Sequence, residues 1–144
     1  MSGFLLDTNV VSELIKPKPK PKVQRWIDST DEGLLHLSVL TLGEIRKGIA
    51  VLPSHSRRAS LEAWLSNDLM LRFAGRILPI EEEVADRWGW IAAKALTAGS
   101  PLPVIDGLLA ATALHFNMTL VTRNTKDVAA TGVATFSPWP SQSS

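Results

Sequence analysis

The chain has 144 residues, of which 45% are hydrophobic, so it suits one compact domain with a full core. Its net charge of +1 excludes both a strongly basic nucleic-acid coat and an acidic disordered chain. It contains no cysteine, which excludes a disulfide scaffold and a thiolate metal site. The first residues lack a basic leader, and no apolar run approaches the roughly 20 residues that span a bilayer, so we expect a cytoplasmic protein.

The first quarter of the chain predicts two strands and two helices. An apolar strand is expected over residues 3–6, followed by a helix over about residues 9–16. The sequence KPKPKPK at residues 16–22 cannot continue a helix, because its prolines alternate, and it predicts an exposed basic connection. A second helix is expected over residues 23–30 and a second strand over residues 34–38.

The middle of the chain is mainly helical by the spacing of its apolar residues. Helices are expected over residues 41–52 and 60–73, and the segment 76–80 predicts a short strand. A longer helix is expected over residues 81–99, where the acidic first turn suits the helix dipole and Gly99 ends the helix.

The last part of the chain predicts a buried helix between strands. Residues 104–116 are almost wholly apolar, so we expect a central helix there. Strands are expected over residues 118–122 and 133–136, with a connection or short helix over residues 123–132. Strands that alternate with helices predict a parallel sheet covered on both faces.

Four acidic residues stand where such a fold gathers the ends of its strands. Asp7 directly follows the first strand, and Glu44 lies in the first turn of the helix after the second strand. Asp106 lies in the first turn of the apolar helix, and Asp127 follows the strand over residues 118–122. Because strand ends and the starts of the following helices meet along one edge of a parallel sheet, we expect these carboxyl groups to converge.

Converging carboxylates repel one another, so either some of them are protonated or a cation neutralises them. Hard oxygen ligands without histidine or cysteine select Mg²⁺ or Mn²⁺. Such an ion can activate a water and stabilise the charge that develops on a phosphoryl oxygen. The pattern therefore predicts metal-dependent chemistry on a phosphate.

Each acidic residue also has an ordinary structural interpretation. Asp7 could cap the first helix, and Glu44 follows Thr41 at the spacing of a capping box. Asp106 could be a buried, hydrogen-bonded carboxyl, and Asp127 could be solvated loop charge. The residues alone leave these alternatives open.

Five separated segments of the chain form a recognisable series, namely LLDTNVVSEL, LSVLTLGEIRKGI, GRILPIEEEVADRWG, PVIDGLLAATAL and LVTRNTKDV. In their order and spacing they resemble PIN-domain proteins, and above all the VapC-type toxins of bacterial type II toxin–antitoxin pairs. The resemblance covers nearly the whole chain and implies a three-layer α/β/α fold with a central, mainly parallel sheet. A single PIN domain is then expected over residues 1–144, with a polar tail from about residue 137.

The resemblance also implies an activity, which is Mg²⁺- or Mn²⁺-dependent cleavage of RNA by metal-activated attack of water on a phosphodiester. It assigns the catalytic and metal-binding positions to four acids, namely Asp7, Glu44, Asp106 and the more variable Asp127. It assigns the supporting positions around the pocket to Thr8, Thr122 and Asn124. It further implies a homodimer and a cognate antitoxin protein that inserts residues into the acidic pocket, with no membrane partner.

Other residues near the proposed pocket leave further alternatives. Arg123 and Lys126 flank the pocket and are candidates for phosphate contacts, whereas the lysines of residues 16–22 are more simply solvated charge. Gly107 departs from the family pattern, in which a slightly larger small residue usually follows the acid. The five tryptophans are expected to pack in the core or in an oligomer interface.

Two other functions compete with the nuclease. One is a PIN-fold binding module with little cleavage, acting mainly through a complex with antitoxin and operator DNA. The other is a phosphatase of the haloacid dehalogenase kind, which needs a second aspartate two residues after Asp7. Asn9 stands at that position, so we rank the phosphatase low.

Overall fold

The structure is a computed structural model that describes residues 3–141. Within these residues the strands are β1 (Phe4–Leu6), β2 (Leu35–Ser38), β3 (Ile77–Leu78), β4 (Thr119–Val121) and β5 (Thr135–Phe136). They form one sheet in the order β3-β2-β1-β4-β5, and every neighbouring pair is parallel. The predicted central parallel sheet is therefore confirmed.

Helices connect the strands and cover both faces of the sheet. In the described residues they are α1 (Thr8–Leu14), α2 (Pro21–Ser29), α3 (Val39–Ala50), α4 (His55–Ala63), α5 (Met70–Arg72), α6 (Glu82–Thr97), α7 (Val104–His115) and α8 (Thr125–Val128). Short 3₁₀ turns occupy Glu32–Leu34 and Ala129–Thr131. The π-helical segment Trp64–Leu69 joins α4 to α5, so the helix predicted over residues 60–73 begins earlier and widens in its middle.

The two faces of the sheet carry separate hydrophobic clusters. Leu5 and Leu6 are both 0% exposed but belong to different clusters, because successive strand residues point to opposite faces. Leu6 packs with buried residues of α1, α2 and α3, whereas Leu5 packs with buried residues of α7 and α8. This arrangement is the predicted three-layer α/β/α fold.

The connections between strands create a topological switch point at the centre of the sheet. From β1 the chain moves outward to β2 and β3, and it then returns to β4 on the other side of β1. Ligands of open parallel sheets bind where the connections change direction in this way. Leu6 is paired with Val121 in the register of β1 and β4, so the next residues, Asp7 and Thr122, meet at this point.

Several local features differ from the sequence expectations or explain them. Helix α2 starts at Pro21, which suits the first turn of a helix, so the basic connection ends earlier than predicted. Gly99 has a φ of 77° and ends α6 in the left-handed region, as predicted. Of the predicted tail, residues 142–144 lie outside the described residues, whereas Trp139 is only 7% exposed and packs against the core.

The tryptophans do not share one environment. Trp26 and Trp64 pack against the same core cluster as Trp139, in agreement with the expected core packing. Trp90 on α6 is 76% exposed, so core packing within this chain is wrong for that residue. Among residues 3–141, no helix is long and apolar enough to cross a bilayer.

Candidate active site

Asp7 stands at the switch point, directly after β1. Its backbone N–H donates to the carbonyl of Val121 at 2.9 Å, which continues the pairing of β1 with β4. Its carboxylate accepts hydrogen bonds from the backbone N–H of Thr8 at 2.6 Å and from Thr122 Oγ1 at 2.8 Å. The first of these bonds caps α1, so Asp7 is a helix cap whatever else it does.

The environment of Asp7 disfavours its charged form. Burial raises the pKa of the Asp7 carboxyl, and the hydrogen bonds from Thr122 and Thr8 only partly oppose that effect. The nearby charge of Glu44 raises the pKa of Asp7 further. The hydrogen bonds that the chain provides therefore do not fully offset the cost of ionising the buried Asp7 carboxyl.

Thr122 fixes the orientation of Asp7. Its side chain is only 2% exposed and follows β4, next to Asp7 in the sheet. While its hydroxyl donates to Asp7, it accepts from Asn9 Nδ2 at 3.3 Å and from the backbone N–H of Asn124 at 3.2 Å. All hydrogen-bonding capacity of this hydroxyl is thereby used, so it has one preferred direction.

Glu44 is held by Thr8 and is not part of a capping box. The cap of α3 is Ser38, whose hydroxyl accepts from the backbone N–H of Leu40 at 3.0 Å. Glu44 Oε1 instead accepts from Thr8 Oγ1 at 2.5 Å. Thr41 is fully buried, and its hydroxyl lies 3.3 Å from Thr8 Oγ1. Thr8 therefore connects the end of β1 to the acid on α3.

Asp106 is a partly covered acid on α7. It lies half-buried in the first turn of α7, and its carboxylate has no hydrogen-bond partner among residues 3–141. The alternative of a buried, hydrogen-bonded carboxyl is therefore wrong. Burial raises the pKa of Asp106, and the charges of Asp7, Asp127 and Glu44 raise it further.

Three aspartates from separate parts of the chain line one small cavity. Asp7, Asp106 and Asp127 face it together with Thr122 and Asn124, and its volume is about 20 Å³. Since one water-sized sphere needs roughly 10–15 Å³, the cavity has room for one ion or one water. The structure therefore gathers these predicted residues at one point.

The donor groups of this site are of the kind that binds a divalent cation. They are oxygen atoms of mutually repelling carboxylates around an ion-sized cavity, which is the chemistry that Mg²⁺ and Mn²⁺ prefer. Within residues 3–141, however, no three acidic or histidine side chains are already arranged to hold one ion. Asp7 and Glu44 each accept a hydrogen bond from a threonine hydroxyl here.

The two basic residues predicted to flank the pocket have different surroundings. The guanidinium of Arg123 lies 5.6 Å from the centre of the Trp139 ring, and its backbone N–H donates to Asn9 Oδ1 at 3.4 Å. Lys126 on α8 lines a groove that also contains Asp127. The structure therefore brings Lys126 to the acids and engages Arg123 with an aromatic ring.

Close packing explains why a glycine stands at position 107. Gly107 is buried beside Asp106, and a Cβ atom there would lie 3.0 Å from Cδ1 and Nε1 of Trp88 and 3.3 Å from Cδ2 of Leu102. Real Cβ atoms are rarely that close to a rigid indole ring. Glycine therefore lets α6 pack closely on α7 next to the acidic cavity.

The sequence profile of the PIN domain matches residues 4–132. This chain belongs to the PIN-domain family. The family resemblance expected from the sequence segments is thereby confirmed.

Relatives of this PIN domain match it over nearly the whole length. Toxin FitB of Neisseria gonorrhoeae is 40% identical over 136 residues, which cover 94% of this chain and 98% of FitB. VapC ribonuclease Y4jK of Sinorhizobium fredii is 36% identical over 136 residues, which cover 94% of this chain and 97% of that protein. A chain in the structure of FitAB bound to an IR36 DNA fragment matches with a TM-score of 0.89 and 38% identity, covering 97% of this chain and 98% of that one.

Two residues of this PIN domain's site were not singled out as pocket residues from the sequence. Asn9 holds Thr122, and Thr41 lies beside Thr8. The available signal was weak, because short polar side chains near helix starts are usually explained by capping. Their contacts span more than 30 residues of sequence and become visible only in the folded chain.

Proposed function

We propose that this PIN domain is a Mg²⁺- or Mn²⁺-dependent endoribonuclease that acts as the toxin of a toxin–antitoxin pair. The observation that carries the proposal is the cavity shared by Asp7, Asp106 and Asp127 at the switch point of the sheet. The similarity to proteins named Toxin FitB and VapC ribonuclease supports it. RNA is the substrate class that the second of these names indicates.

The acids would hold the divalent ion and the hydroxyl groups would orient the acids. Asp7 and Asp106 would bind it, with Glu44 and Asp127 as further oxygen donors. When bound, the ion supplies Lewis acidity toward a phosphoryl oxygen and makes a water more nucleophilic. Burial raises the pKa of Asp106, and the negative charges of its neighbours, which raise it further, also make the site attract a divalent cation.

Thr122 and Thr8 hold two of the acids in place. Each donates a hydroxyl hydrogen bond to a carboxylate, Thr122 to Asp7 and Thr8 to Glu44. Hydrogen bonds of this kind limit the rotation of a carboxylate. Loss of either hydroxyl is expected to weaken metal binding without removing a ligand.

The same negative pocket supports the proposed antitoxin partner. A cationic side chain of a partner protein could neutralise the acids in place of a metal, which would block the site. The related FitAB structure was solved with a DNA fragment, so a complex that sits on DNA is proposed for this chain as well. The homodimer stays a prediction.

The deciding experiment uses the purified chain without antitoxin and total bacterial RNA. We expect new, defined RNA 5′ ends in the presence of Mg²⁺ or Mn²⁺ and none after EDTA is added. The Asp7→Asn variant, measured in parallel, is expected to produce none with either metal. Fragments that persist in that variant would point to a contaminating nuclease.

A binding module is the second candidate. It is favoured by the DNA-bound FitAB relative and by side chains that are not yet arranged around one ion in residues 3–141. Absence of cleavage by the wild-type chain with every metal, together with tight binding of antitoxin and operator DNA, would support this candidate and reject the nuclease.

A further inference from the structure

A groove of about 530 Å³ leads away from the acidic cavity. Asp106 and Asp127 line both the groove and the cavity, so the two are continuous. The groove runs between α6, the connection of residues 98–103 and α8. Its volume lies within the roughly 300–1,000 Å³ of ordinary ligand sites.

The walls of the groove combine apolar surface with two cations. Ile91, Ala95 and Leu102 contribute apolar surface, while Lys94 from the end of α6 and Lys126 from α8 contribute ammonium groups. Such a combination suits a chain that carries both anionic groups and flat apolar faces.

Neither lysine of the groove is neutralised by the protein. Among residues 3–141, the side chains of Lys94 and Lys126 form no ion pair and no hydrogen bond, although Asp127 is adjacent to Lys126 in sequence. By contrast, Arg72 and Arg76 both pair with Glu32 elsewhere on the surface. The two ammonium groups are therefore free to contact a ligand.

We propose that this groove binds the RNA strand next to the cleaved phosphodiester, with Lys94 and Lys126 contacting neighbouring phosphates. The apolar wall then faces a base or ribose of the same strand. This inference rests on the proposed function, because it places the reacting phosphate at Asp106 and Asp127. It adds Lys94, which no sequence motif marks, to the residues that bind the substrate.

The two lysines of the groove favour an RNA strand over a basic protein segment along its length. A basic peptide aimed at the aspartates would pass two unpaired lysines and be repelled by them. A single RNA strand instead offers phosphates at regular intervals and bases for the apolar wall. A segment of the antitoxin is the alternative occupant that the experiment must separate.

The test is binding of a fluorescently labelled single-stranded RNA of roughly ten nucleotides, measured by anisotropy over a series of salt concentrations. Ca²⁺ is present to neutralise the carboxylates, and a gel verifies that the RNA stays intact. Lys94→Ala and Lys126→Ala are compared with the wild type. Lys22→Ala is the matched control, since α2 packs on the opposite face of the sheet.

Each groove variant is expected to bind about fivefold more weakly at low salt and to lower the salt slope by about 0.7, the value for one lost contact to a single strand. Lys94→Arg is expected to bind like the wild type, and Lys22→Ala likewise. Wild-type affinity in both alanine variants overturns the proposal and leaves the groove to a protein segment. An equal loss of RNA affinity in Lys22→Ala also overturns the proposal, because the loss then reflects the overall surface charge and not the groove.

Failure of the subsite and failure of the nuclease give different results. If the chain is not a nuclease, the wild-type protein fails to cleave total RNA with every metal tested. If the chain is a nuclease but the groove does not bind RNA, the wild-type protein cleaves RNA. The Lys94→Ala variant then cleaves the same sites with the same dependence on salt.

Discussion

Two groups of carboxylates in this chain have opposite electrostatic surroundings. Glu32 is held by Arg72 at 2.9 Å and by Arg76 at 2.8 Å, and these partners lower the pKa of Glu32 to about 2. Asp7 and Asp106 form no ion pair among residues 3–141, and burial raises the pKa of both. The chain neutralises the charge of Glu32 with its own arginines. The charges of Asp7 and Asp106 are left to be neutralised by a cation from outside the chain.

Glu13 shows that burial alone does not explain this difference. Its side chain is only 3% exposed, yet it accepts from Lys16 Nζ at 3.0 Å and from the backbone N–H of Lys20 at 3.3 Å. Burial raises the pKa of Glu13, but these donors outweigh it and the net shift is downward. A covered acid can therefore be neutralised within this fold, and the acids at the switch point are left uncompensated although similar partners exist elsewhere.

The largest expected effect concerns catalysis by the uncompensated acids. Asp106→Asn should lower the rate of RNA cleavage by at least about 100-fold, since losing a direct metal ligand exceeds the cost of losing an outer partner. The exposed Asp68 on the π-helical segment offers a control, and Asp68→Asn should cleave at the wild-type rate. Equal rates for Asp106→Asn and Asp68→Asn would remove Asp106 from the site.

A second expected effect is stabilisation of the chain by a divalent cation bound at the uncompensated acids. Mn²⁺ at about 100 times its dissociation constant should stabilise the wild-type chain by about 2.7 kcal/mol. Asp7→Asn combined with Asp106→Asn should abolish this stabilisation, whereas Glu32→Gln should keep it. Thermal unfolding with and without Mn²⁺ measures both. An equal response of all three proteins would show that the ion binds elsewhere.

A smaller effect is expected when the compensated acid is changed. Glu32→Gln should lower the free energy of unfolding by about 1 kcal/mol at pH 7, a value reduced because the pair is partly exposed to solvent. Because the pKa of Glu32 is lowered, its contribution is present above pH 4.5 and is lost as the pH falls toward 2. Urea unfolding at pH 7 and at pH 2 measures the difference, and RNA cleavage at pH 7 should not change.

The smallest expected effect is an increase in the free energy of unfolding when Asp106 loses its charge. The pKa of Asp106 is raised, so the folded state is favoured below the ordinary pKa of 3.8, and this advantage is lost as the pH rises through the raised value. In EDTA at pH 7, Asp106→Asn should therefore stabilise the chain by less than about 1 kcal/mol, after allowance for solvent screening. Urea unfolding without metal measures the change. A destabilised variant would mean that Asp106 is held by contacts that favour its charge.

The strand ends were the part of the site that could be predicted from the sequence. Asp7 and Asp127 follow apolar runs, and the alternation of strands and helices implied a parallel sheet that gathers such positions. The capping of α3 by Ser38 could not be distinguished from a capping box at Thr41, because both residues have hydroxyl side chains near the start of this helix. The exact start of α4 was missed because its first turns are polar.

Groups that depend on tertiary arrangement were beyond prediction. Lys94 lies in an ordinary helix end, and only the packing of α6 on α7 brings it to the groove that contains the acids. The same holds for Arg123, whose placement over Trp139 depends on how the end of the chain packs. Sequence patterns predict which element carries a residue more readily than which neighbours its side chain meets.

The hydrogen bond between Thr122 and Asp7 joins residues 115 positions apart in the chain. Closing so long a loop costs much conformational entropy before the pairing of β1 with β4 contributes any stability, so this step is expected to be slow in folding. The two strands that position these residues are also the central strands of the sheet. A chain in which these two strands have not yet paired therefore lacks the arranged acids as well.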